Sequence, residues 1–70
     1  MYLVIEIQTN DGVVSTLNYQ YDDIHLAEQK YYLILSAAAV STIDVHAAMI
    51  IDPRGTVLKN DFYEHNKGGN

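Results

Sequence analysis

Three histidines, a Tyr-Glu-His triplet and an aspartate pair are the residues of this 70-residue chain whose types suit chemistry. A metal centre needs imidazoles or carboxylates that converge, which on one helix means spacings of three or four residues. His25, His46 and His65 show no such spacing, and His46 reads as a mid-strand residue beside a phenylalanine. Tyr63-Glu64-His65 gathers a phenol, a carboxylate and an imidazole, the ingredients of acid–base catalysis. Adjacent residues on a strand point to opposite faces, however, so Glu64 and His65 have no reason to cooperate. Asp22-Asp23 is better placed to cap a helix than to work as a carboxylate pair. Asp44 and Asp52 bracket a strand at its turns. The chain has no cysteine, which removes disulfides and thiolate metal ligands. The residues thus predict no enzyme: no catalytic group, no cofactor and no metal site.

Charge narrows the partners. Nine acidic residues against four basic ones give a formal charge of −5. A nucleic-acid binder of this size needs a basic stripe, so direct binding to nucleic acid is not expected. Apolar runs fall far short of the about twenty residues of a membrane span, and the N-terminus lacks the basic segment of a signal peptide. No membrane association is expected. Hydrophobic residues make up 49%, enough for a packed fold, although seventy residues allow one small core at most.

The elements that hold these residues read as ββαββ. Tyr2 to Gln8 alternates as a strand with Leu3, Ile5 and Ile7 on one face, taken as the core side. Asn10-Asp11-Gly12 is a turn, and Val13 to Tyr21 a second strand. A three-residue loop with a left-handed Gly12 would set Ile5 opposite Leu17 and Leu3 opposite Tyr19. Asp22 to about Thr42 reads as a helix capped by Asp22 or Asp23. Val45 to Ile51 and Thr56 to about Tyr63 form a second hairpin around Asp52-Pro53-Arg54-Gly55, in which proline presets the turn and glycine closes it. That loop predicts pairs Ile50–Leu58, Ala48–Asn60 and His46–Phe62, with Ala48, Ile50, Leu58 and Phe62 facing the helix. The predicted architecture is α+β: a four-stranded, mostly antiparallel sheet with one helix packed on one face. Residues 1–65 form one domain, and a tail over 66–70 is expected to be disordered.

The helix has two apolar faces. Ile24, Ala27, Tyr31, Ile34, Leu35 and Ala38 fall on one stripe at about 100° per residue, and this stripe belongs on the sheet. Leu26, Leu33, Ala37 and Val40 form a second line, three of them seven residues apart. A helix covering one sheet needs a single apolar face, so the second line is a candidate interface. Tyr32 lies off the sheet-facing stripe and joins Leu26, Leu33, Ala37 and Val40 as a candidate partner contact.

Several segments carry a resemblance: Tyr2 with Val4-Ile5-Glu6-Ile7-Gln8, Ala27-Glu28-Gln29-Lys30-Tyr31, Ala37-Ala38-Ala39-Val40-Ser41, Val57-Leu58-Lys59 and Tyr63-Glu64-His65. Together they resemble a group of small uncharacterised proteins carried by phages and prophage-like regions of intestinal bacteria. The resemblance implies a setting, the bacterial host cytoplasm or a phage particle, and transfers no functional residue. With it, the two-faced helix predicts a small structural or protein-interaction module that forms a homo-oligomer, with host or phage proteins as further candidate partners. The net charge motivates an alternative: a small acidic inhibitor of a host protein, such as a nucleic-acid-processing enzyme.

Overall fold

The computed structural model describes residues 1–65, and the tail expected over 66–70 lies outside them. The elements are β1 (Tyr2–Asn10), β2 (Val13–Tyr21), α1 (Ile24–Ala39), β3 (Val45–Ile51) and β4 (Val57–Glu64). They form one open sheet in the order β2-β1-β3-β4, with every neighbouring pair antiparallel. The α+β class and the ββαββ order are therefore as the sequence predicts. The two hairpins meet through β1 and β3, leaving β2 and β4 as edges.

The first hairpin departs from the expected register. Asp11 and Gly12 both have positive φ, 52° and 81°, the geometry of a two-residue type I′ turn. Asn10 then pairs with Val13, Ile5 with Asn18 and Leu3 with Gln20. The expected Ile5–Leu17 pairing assumed that Leu3, Ile5 and Ile7 face the core. Instead Val4 is fully buried, packed among helix residues, with Tyr2, Tyr19 and Tyr21 beside it. An aspartate tolerates the left-handed region better than most side chains. The Asp11 N–H is also held by the Asp44 carboxylate at 2.9 Å.

The second hairpin has the expected loop and a different register beyond it. Gly55, at φ 86°, donates its N–H to the Asp52 carbonyl, and the Asp52 N–H reaches the Thr56 carbonyl. The Asp52 carboxylate accepts from the N–H groups of Arg54 and Thr56 and from the Arg54 guanidinium. Ile51 pairs with Val57, but Ile50 pairs with Lys59, so Leu58 is extruded as a bulge. One inserted residue turns the rest of β4 over. Ala48 and Ile50 are buried toward the helix as expected, whereas Leu58 and Phe62 are exposed. Lys59 and Asp61 stand opposite Ile50 and Ala48 in their place.

The helix is shorter than the roughly twenty residues expected. Asp23 caps it, its carboxylate accepting the His25 N–H at 2.8 Å. It ends at Ala39, where Val40 leaves helical geometry and the last amides tighten onto the Ala37 and Ala38 carbonyls. The Ser41 hydroxyl then accepts the Ile43 N–H, a local alternative to the helix ladder. Ala27, Tyr31, Ile34 and Ala38 are buried on the sheet, flanked by Ile24 and Leu35, so the predicted stripe is the packed one. Ala27 and Ala48 let the backbones come close, and Ile34, Ile50 and Val4 fill the centre.

Candidate interaction surface

The sheet brings only some of the chemistry-bearing residues together. His46 Nε2 lies 2.6 Å from Glu6 Oε2, and both side chains are nearly excluded from water. Gln8 donates to the same carboxylate oxygen at 3.0 Å. The β1–β3 register explains this trio, since Gln8 pairs with His46 and Glu6 with Ala48 on the helix side. Sequence reasoning placed His46 beside Phe62, whereas the bulge sets it opposite Tyr63. The His46 Nδ1 atom is buried without a hydrogen-bond partner. Neither of the two principal surface depressions is lined by Glu6 or His46. The arrangement suits a tie between β1 and β3.

The other two histidines are tied elsewhere. His25 pairs with Glu28 on the exposed helix start. His65 bonds the Ala38 carbonyl through its ring and the Asp44 carbonyl through its N–H, fastening the end of β4 to the end of α1. Among the described residues, no group of three or more histidines or carboxylates is placed to hold a metal ion. Asp23 and Asp52 act as the cap and the turn anchor.

The expected helix line is in water. Leu33 is 60% exposed, Leu26 and Ala37 are exposed, and Val40, just past the last helical residue, is 85% exposed. Tyr32 is partly engaged within the chain. Its ring meets Tyr31 edge-on at 5.0 Å, and Lys59 Nζ lies 5.8 Å from its centroid. A hydrogen bond with the Tyr32 hydroxyl, then the charge of that phenol, holds the Lys59 ammonium above its ordinary pKa. Burial, with Asp61 next in weight, pushes the Tyr31 phenol up.

A larger apolar surface lies on the opposite side of the molecule. Because Val4, Ala48 and Ile50 face the helix, Leu3, Ile5, Ile7, Ala47, Met49 and Ile51 face away from it. They are half-buried only by one another and by their strand neighbours. Phe62, 57% exposed, extends this surface onto β4 opposite Ala47. A shallow depression of about 190 Å³ runs between Ile7, Ala47, Met49 and Phe62, smaller than a typical ligand pocket. Of the charged strand residues, only Glu64, at the rim, shares this face, since Glu6, Lys59 and Asp61 stand on the helix side. The signal for this surface was in the sequence: β1 and β3 carry apolar residues on both faces, the pattern of strands covered on both sides.

The chain matches no protein-family model, no curated protein and no solved structure. Among the described residues, no helix is long and apolar enough to cross a membrane.

Proposed function

We propose that this chain is a non-enzymatic interaction module, phage-derived in setting, that acts as a self-associated assembly. The helix-free face of the sheet carries the reading. It is apolar from Leu3 to Phe62 and nearly free of charge, although the chain as a whole is strongly acidic. Loss of charged residues at the centre of a patch is the compositional mark of an interface core. The molecule's broad side, 41 × 20 Å, is on the scale of the about 800 Å² per partner that a standard interface buries. Each 100 Å² of apolar surface withdrawn from water contributes about 2.5 kcal/mol before the costs of association. The exposed Leu26, Leu33, Ala37 and Val40 line adds a second, narrower surface on the helix.

Sedimentation equilibrium at micromolar concentration tests this. The wild-type chain is expected to run above its 7.9 kDa chain mass. Met49→Lys, which puts a charge on the open face, is expected to weaken association at least about tenfold. A monomer across the concentration range would overturn the proposal, and an oligomer untouched by Met49→Lys but lost in Leu33→Glu would move the contact to the helix.

The charge of −5 favours a second reading, an acidic inhibitor that docks on a basic host protein. Binding of that kind weakens steeply with salt. Pull-downs from host lysate at low and high salt would expose it, and recovery of no basic partner at low salt would reject it.

A further inference from the structure

The two edges of the sheet are built differently. β4 carries a bulge and the charges of Lys59, Asp61 and Glu64, devices that stop an edge from pairing with another strand. β2 has nine residues and neither a charge, a proline, a glycine nor a register shift. Its first six residues are exposed. The two-residue turn makes Asn10–Val13 a hydrogen-bonded pair, so the N–H and C=O groups of Val14, Thr16, Asn18 and Gln20 point away from β1.

We infer that β2 pairs antiparallel with β2 of a second copy about a two-fold axis at Leu17. This rests on the self-association reading and names its edge contact. Registers that keep both helices on the same side must set residues of like parity opposite each other. The register centred on Leu17 sets Val14 against Gln20 of the second copy and Thr16 against its Asn18. All the outward groups then close in about eight backbone hydrogen bonds. Along the strand itself no like charges meet, because it has none, and only at its two ends does Asp11 come alongside Asp22 and Asp23 of the second copy. Leu17, 51% exposed on the helix side, meets its own copy at the axis. The result is one continuous sheet of eight strands, in which the apolar faces of the two copies flank a central strip of Val14, Thr16, Asn18 and Gln20 from each.

The absence of cysteine makes the register directly testable. At the axis, the Cα atoms of a non-hydrogen-bonded pair are about 4.5 Å apart, within disulfide reach. Val13, the more exposed of the two, would be about 26 Å from its copy. Under mild oxidation, Leu17→Cys is expected to form a covalent dimer at least about tenfold faster than Val13→Cys. Thr16→Pro removes only an outward-pointing donor and is expected to weaken edge pairing at least about tenfold while the circular dichroism spectrum stays unchanged. Equal crosslinking rates, with the wild-type chain still oligomeric in sedimentation, would overturn the β2 contact and leave self-association standing. A wild-type monomer that does not crosslink through Leu17→Cys would overturn both.

Discussion

Glu6 and His46 lie forty residues apart in sequence and 2.6 Å apart in space, with Gln8 on the same oxygen. Removing one partner from a buried hydrogen bond leaves the other to bear its desolvation. Glu6→Ala is therefore expected to lose about 1–3 kcal/mol in urea unfolding, and a neutral result would mean that water reaches His46. Asp52 gives a pH signature. Hydrogen bonds from the Thr56 N–H, then from Arg54, hold its carboxyl below the ordinary range. A depressed folded pKa contributes stability that is present above the unfolded value, about 3.9, and is lost as the pH falls through the folded value. Wild type should lose stability over that acid range, and Asp52→Asn should flatten the loss; identical acid profiles would contradict the role given to the turn. Tyr31 works in the opposite sense. Its raised phenol pKa, caused first by burial, contributes stability that is intact below the unfolded value, about 10, and lost as the pH rises through the folded value. Tyr31→Phe should remove that alkaline decline in urea midpoints.

At the scale of elements, what the sequence revealed depended on how local the information was. The helix stripe from Ile24 to Ala38 was legible because 3.6-residue periodicity needs no partner. The Asp52–Gly55 loop was legible because proline and glycine fix its backbone. The facing of β1 was not, because Leu3, Val4 and Ile5 are all apolar and one residue of slip exchanges the faces. Nor was the bulge, which sets aside Leu58 without any glycine to mark it. The Glu6–His46 contact depends on the β1–β3 pairing, which no local pattern encodes. The expected helix line Leu26, Leu33, Ala37 and Val40 is exposed, while the wider apolar face of the sheet lies outside the expected contact residues. If Leu58 is a pure insertion, deleting it should keep Ile51–Val57 and Ile50–Lys59 paired and cost less than about 1 kcal/mol. Unfolding of that variant would show that the bulge itself is needed.

For the whole molecule, the central fact is one helix against a sheet with two apolar faces. The helix covers the side holding Val4, Ala48 and Ile50, and these residues carry the stability of the fold. Ile50→Ala should cost about 2–5 kcal/mol, a large share of what so small a core supplies. Among the described residues, the side holding Leu3, Ile5, Met49 and Phe62 has no second layer. The proposed self-association would supply that layer. Sedimentation equilibrium across the micromolar range measures this most directly. The predicted result is a mass above 7.9 kDa that falls toward it in Met49→Lys; a single 7.9 kDa species at every concentration would contradict it.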